Sequence, residues 1–478
     1  MRRPPTTGAF ALTIATLLLA ACAAGPDFHA PAVPASDRYS AAPLPVASVP
    51  PPENAQDFSP GPAPAKWWTQ YGSPVLDSWV AEALAHNRSL QATQDSLSAA
   101  RELLSAQTGS TELPTVNAQL QVTRQRALGL PGFGPPTSIY KLFAGVVQVD
   151  YTLDIFGAVR RANEAARADV DVRVQELAAA RQSLAANLVI TAVRAAALHG
   201  EVVSQERIVE LAQRRAALVE RRYSLGGAAH RDVLEASRAA HDAVAALPAL
   251  QAQWLHTRNA LAVLMGRAPQ DAPEDLDFDQ LRLPARVPVA VPSELVHARP
   301  DILAAEASLH AANARLGLAT ANLFPKFTLT ASYGSESFRR ASFLHSPSTV
   351  WGVGGAVLQP LFEGGALLAD RRAAAAERDA ATQRYEQTVL TAFGNVGDAL
   401  ITLQSDARAL ADDRAAEDDA ARIFAETRQR HDAGSESVLA VLASEQQLLQ
   451  ERLNRIAGAD AELVDTAALF QAIGAPAP

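Results

Sequence analysis

The chain has 478 residues, 48% of them hydrophobic and 19% charged, which is enough apolar material for a large core. Its 42 Lys+Arg against 51 Asp+Glu give a formal net charge of -9, the opposite of the basic footprint of a nucleic-acid binder. A single Cys excludes both an intrachain disulfide framework and a zinc site built on several cysteines.

Residues 1–21 open on Arg2 and Arg3, continue in an apolar run from Ala9 through Leu19 and end on small residues, the order of a secretory signal peptide. The run is shorter than the roughly 20 residues of a comfortable bilayer span. Leu19-Ala20-Ala21-Cys22 resembles the lipobox of bacterial lipoproteins, which implies acylation of Cys22 as the new N-terminus. Ala23, where Asp would retain the protein, implies by family precedent export to the outer membrane. Residues 22–67 are crowded with Pro, Ala and Ser, so an extended strap is expected. No later stretch has 18 consecutive apolar residues without charge, so any crossing of a membrane falls to strands.

Strands are legible in two places. Thr115-Val116-Asn117-Ala118-Gln119-Leu120-Gln121-Val122-Thr123 alternates strictly, and Val147, Val149, Tyr151 and Leu153 alternate with polar partners. Residues 326–333 and 351–357 repeat the pattern, giving hairpins over 115–153 and 326–361. Such strands have one apolar and one wet face, which suits either a half-buried sheet or a membrane barrel. Four strands cannot close a barrel, and open edges are not tolerated in hydrocarbon, so a barrel would need several copies. Long helical arms follow. Residues 157–222 hold no Pro, and an unbroken helix there would run roughly 100 Å, with Leu184, Leu188, Thr191, Ala195, Leu198 and Val202 as a heptad-like seam. A second arm spans about 366–430, with Gly394 and Gly397 as expected weak points. Both arms end alike: Arg222, Gly226, Val233 and Leu234 recur 208 residues later as Arg430, Gly434, Val441 and Leu442. The chain is therefore an internal duplication, with repeats at 68–267 and 293–473 and a Pro- and Asp-rich linker at 268–292.

Cys22-Ala23-Ala24-Gly25-Pro26-Asp27-Phe28, Leu153-Asp154-Ile155-Phe156-Gly157, Arg299-Pro300-Asp301-Ile302, Asn322-Leu323-Phe324-Pro325 and Gln359-Pro360-Leu361-Phe362-Glu363-Gly364-Gly365 resemble the signatures of outer-membrane efflux lipoproteins of the NodT type, relatives of TolC. The resemblance covers nearly the whole mature chain. It implies a mixed α and β membrane fold: a homotrimer in which each chain gives four strands to one 12-stranded β-barrel and long helices to a periplasmic α-barrel. It implies a passive exit duct of a tripartite pump for small molecules, with a periplasmic membrane-fusion adaptor and a proton-driven inner-membrane pump as partners, outer-membrane lipid around the barrel, and no cofactor. The family narrows at its periplasmic tips. Asp232 and Glu235 follow Gly226 at the acidic aperture positions, whereas Ala440 and Ala443 follow Gly434, so Leu439 is the candidate for an apolar constriction. A plain solvated helix face remains the alternative for Asp232 and Glu235. Gly226, Val233, Leu234, Gly434, Val441 and Leu442 are candidate adaptor contacts, with hairpin packing as the alternative.

No two of the ten His stand at i, i+4, and neither a P-loop nor a nucleophile elbow is present, so no enzyme chemistry is expected. The competing readings are the outlet of a type I protein secretion system and a non-conducting lipid-anchored scaffold.

Overall fold

The structure, a computed structural model, describes residues 24–32, 39, 56–58, 61, 63–128, 137–289 and 292–475. The signal peptide, Cys22, most of the strap and residues 129–136 lie outside the described residues. In chain order the elements are α1 (Pro74–His86), α2 (Arg88–Glu112), β1 (Thr115–Leu128), β2 (Thr137–Leu153), α3 (Ala158–Ser224), α4 (His230–Leu264), α5 (Pro292–Ala298), α6 (Pro300–Ala321), β3 (Lys326–Ser337), β4 (Thr349–Leu358), α7 (Ala366–Asp432) and α8 (Val438–Ala472). The α3–α4 and α7–α8 pairs are copies in length, 67 and 35 residues each.

The chain divides into two compact units. The first comprises the described residues within 1–31, 97–173 and 304–385 and contains the sheet. Its four strands are antiparallel in the order β1-β2-β3-β4. The two hairpins join through β2 and β3, where Val147 faces Tyr333 and Tyr151 faces Leu329. The first hairpin is longer than its alternation suggests, since β1 and β2 remain paired through Arg124↔Lys141 to Leu128↔Thr137. Backbone hydrogen bonds do not depend on the side-chain pattern from which the shorter strands were read.

At the end of β2, the two carboxylate oxygens of Asp154 accept the N–H groups of Val159 and Arg160 at 2.9 Å, capping the otherwise unpaired first turn of α3. Gly157 turns the chain at φ 81, and Phe156 stacks on Phe324 at 4.8 Å. The Leu-Asp-Ile-Phe-Gly motif is thus a strand-to-helix elbow. Its counterpart before α7 turns on Gly364 and Gly365, both with positive φ.

The second unit comprises the described residues within 32–96, 174–303 and 386–478. Its core includes Trp67, 1% exposed and stacked on Phe470 at 4.9 Å, and Tyr71, whose hydroxyl donates to the Leu463 carbonyl at 2.8 Å. In α3 the heptad-like seam is buried or half-buried, but Ala185, Ala186, Val189, Ala192, Val193, Ala196 and Ala197 are buried as well. The helix is enclosed on more than one side, beyond what a two-helix seam requires. An 18-residue window of α3 is apolar enough to span a bilayer by composition, and more than half of it is buried inside the protein, as expected for a core helix. The expected weak points in α7 do not break it. A Cβ on Gly397 would stand 3.1 Å from the Tyr39 carbonyl oxygen, so that glycine admits a neighbouring backbone.

Arg299 explains a further motif. Its guanidinium donates to both Asp301 oxygens, at 3.0 and 2.6 Å, and to the carbonyl of Ala472 at 2.6 Å, the last residue of α8. A cation at the negative end of a helix satisfies an otherwise orphaned carbonyl. Burial works to raise the Asp301 carboxyl, but the Arg299 guanidinium and the Ile302 N–H outweigh it and hold it below its ordinary value.

Candidate functional site

The sheet sorts its side chains by face. Register places Val116, Ala118, Leu120 and Val122 of β1 beside Val149, Val147, Gly145 and Phe143 of β2, and this row continues through Leu329, Ala331 and Tyr333 to Gly355, Val353 and Trp351. The row is apolar yet uncovered: Leu120 is 81% exposed, Trp351 75% and Val353 78%. The other face carries Gln119, Gln121, Gln148, Asp150, Thr328, Thr330 and Ser332. An apolar face this large in contact with water would be strongly unfavourable at about 25 cal/mol per Å², so it requires lipid. β1 and β4 are the sheet's two edges, each with one side unpaired in the described chain.

The helix tips are built alike. After α3, Gly226 adopts φ 75, its N–H donates to the Tyr223 carbonyl at 2.9 Å, and the Gly227 N–H donates to the Arg222 carbonyl at 2.7 Å. After α7, Gly434 adopts φ 79, with the same two bonds running from Gly434 to His431 and from Ser435 to Arg430. This is a Schellman turn in each repeat, and it needs the left-handed conformation that glycine supplies. The helices that follow are capped by complementary means. In the first repeat the Asp232 carboxylate accepts the Ala229 N–H at 3.0 Å, and in the second the Ser437 hydroxyl accepts the Ala440 N–H at 3.2 Å. Each repeat uses one half of a capping box. Ala440 in place of an acid is thereby accompanied by Ser437 in place of Ala229.

The remaining tip residues diverge between repeats. Glu235 is exposed and ion-paired with Arg231 at 2.7 Å. Leu439, Ala440, Ala443, Val233 and Val441 are half-buried. Leu234 is exposed, whereas its counterpart Leu442 is buried. Leu225 and Leu234 therefore make the first tip the more apolar surface.

Two groupings escaped the sequence reading. The first is a set of buried and half-buried acids on α3, α7 and α8. Burial pushes Asp406 up to about 7, reinforced by its hydrogen bond to Asp465. Burial also pushes Glu462 to about 7, opposed by Arg414 and reinforced by Asp406. Asp460 and Glu201 are raised by burial as well, with Arg194 pulling both the other way. Spacing along the helices gave no hint of this, because the acids meet only when α3, α7 and α8 pack. The second lies at the N-terminus, where Asp27 pairs with Arg161 at 2.6 Å and is held below its ordinary carboxylate value by that hydrogen bond. Among the described residues no group of His, Cys, Asp and Glu is arranged to hold a metal ion.

A family model described as "Outer membrane efflux protein" matches residues 79–267 and 291–475. The outer membrane protein OprJ of Pseudomonas aeruginosa is 30% identical over 485 aligned residues, covering 99% of this chain and 96% of that protein. Nodulation protein T of Rhizobium leguminosarum biovar viciae is 27% identical over 403 residues, covering 83% of this chain and 78% of that protein. Among solved structures, the outer-membrane channel OprN superposes with a TM-score of 0.82 at 25% identity, covering 95% of this chain and 99% of that one. The chain belongs to the outer membrane efflux protein family, has the TolC-like channel fold and is an outer-membrane efflux channel.

Proposed function

We propose that this member of the outer membrane efflux protein family works as a homotrimeric passive duct, receiving small molecules from a proton-driven inner-membrane pump through a periplasmic adaptor and catalysing no reaction itself. The observation that carries the reading is the open sheet, with an uncovered apolar face, a polar face and two free edges. In hydrocarbon such edges must pair. Three copies joined β4 to β1 give twelve strands, with Gln119, Gln121, Gln148 and Asp150 lining the lumen.

The chain is held in the outer membrane by the barrel and by a lipid at Cys22, with residues 1–21 removed, 22–67 as the strap and 268–292 linking the two repeats. The tips around Gly226 and Gly434 meet the adaptor. The exposure of Leu225 and Leu234 supports the first tip as the main apolar contact, with Val233, Val441 and Leu442 packing behind the two turns. The aperture is lined by Leu439, Ala440 and Ala443 together with Asp232 and Glu235. Because the two acids are engaged by the Ala229 N–H and by Arg231, the narrowing has more apolar than ionic character.

Mild crosslinking in intact cells, followed by purification and mass spectrometry, tests the assembly. Recovery of trimers with an adaptor and a proton-driven pump supports the proposal. An ATP-driven exporter with a protein cargo would move the assignment to secretion, and a species that conducts no ions in planar bilayers would make the chain a scaffold.

A further inference from the structure

The segment after Cys22 makes more specific contacts than a leash requires. The Ala24 N–H donates to the carbonyl of Phe156 at 3.0 Å, in the elbow that follows β2. Gly25 adopts φ 91, and a Cβ there would stand 2.5 Å from the Gly317 Cα on α6. Asn313 donates to the Pro26 carbonyl at 3.0 Å. Arg161, only 6% exposed, donates to Asp27 at 2.6 Å and to Glu164 at 2.7 Å. Glu164 in turn holds His310 Nε2 at 2.9 Å, and the His310 ring stacks on Phe28 at 4.4 Å. These contacts form a closed circuit of backbone, charge and ring within one chain.

We propose that Arg161, Glu164, His310, Asn313 and Gly317 form a socket for the segment following the lipidated residue, and that docking there holds the strands of a single, unassembled chain at the membrane surface, where they pair with other copies. The inference rests on the lipoprotein reading of Cys22. Two residue steps lead from Cys22 to Ala24, a reach of about 7 Å, so a docked lipid keeps the strand-to-helix elbow within that distance of the bilayer surface. Undocked, the next ring contact of the strap among the described residues is Tyr39, its ring 5.9 Å from that of Phe393. That length of strap reaches tens of ångströms. Shortening a tether in this ratio raises the local concentration of strands at the membrane by roughly tenfold or more.

The test follows the conversion of pulse-labelled, full-length protein to SDS-resistant trimer in cells, with mass spectrometry of the N-terminal peptide as the first step. An unacylated wild-type peptide would overturn the lipoprotein reading, and the proposal with it. In acylated protein, Asp27→Asn and Gly25→Val each slow trimer formation by roughly tenfold while final trimer yield and conductance stay unchanged. In a Cys22→Ala background exported by a cleavable signal, wild-type and variant straps assemble equally slowly. Unchanged rates in the acylated variants would overturn the proposal. So would the same slowing in the unacylated background, since the socket would then be only a structural brace.

Discussion

Glu462 offers a direct measure of how the buried acids act on the helices. It is 3% exposed on α8, and its carboxyl is pushed from 4.5 to about 7 by burial, with Asp406 reinforcing and Arg414 opposing. Because the folded value lies above the unfolded one, the associated stability is complete below about pH 4.5 and is lost as pH rises through 7. The gap between 4.5 and about 7 corresponds to at most ~3.4 kcal/mol per chain at 1.36 kcal/mol per pH unit. Structural relaxation and water penetration reduce this to about 2 kcal/mol. Glu462→Gln removes the ionisation while keeping the shape. It should therefore stabilise the protein by about 2 kcal/mol at pH 8 and change it by only a few tenths at pH 5. Thermal unfolding of detergent-solubilised wild type and variant, followed by circular dichroism at both pH values, reads the difference as a midpoint gap of a few degrees at pH 8 that closes at pH 5. A gap of equal size at the two pH values, or a variant less stable at pH 8, would refute the argument. Asp406→Asn relieves the same repulsion, so its gain and that of Glu462→Gln should be less than additive.

Other consequences follow from the faces and turns. Leu120→Arg, on the uncovered apolar face, should destabilise the inserted barrel by about 2–4 kcal/mol and deplete trimers in membrane fractions; Gln121→Arg, one residue on, should assemble normally and shift single-channel ion selectivity toward anions. Gly434→Ala places a side chain in the left-handed region at a cost of about 1–2 kcal/mol, visible as faster amide exchange at Ser435 than at Gly227. Ser437→Ala removes the N-terminal side-chain cap of α8 and should cost about 1 kcal/mol, with loss of protection confined to the Ala440 amide and its neighbours. Trp67→Ala empties the stack on Phe470 and should lower stability by about 3–5 kcal/mol, read as loss of the folded helical signal on mild heating.

The sequence alone determined the elements and their duplication, because both depend on local periodicity. Alternation over 115–123 and 326–333 fixes which side chains share a strand face, and the absence of Pro from 157–222 permits a long helix. Glycines at 226 and 434 mark chain reversals, since few other residues accept positive φ without strain. Contacts between distant segments were decided only by tertiary structure. The joining of β2 to β3, the enclosure of α3 beyond its heptad-like seam and the admission of Tyr39 beside Gly397 have no local signature, because any of several packings satisfies the same pattern. The same holds for the exchange of Asp232 for Ser437 as cap, which looks like a lost acid until the hydrogen bonds are traced. The ring of Asp27, Arg161, Glu164 and His310 joins three separate stretches of chain, and the shared burial of Asp406, Glu462 and Asp465 joins two helices. Burial and charge pairing arise only when those segments meet, so residue types along one segment could not foretell them.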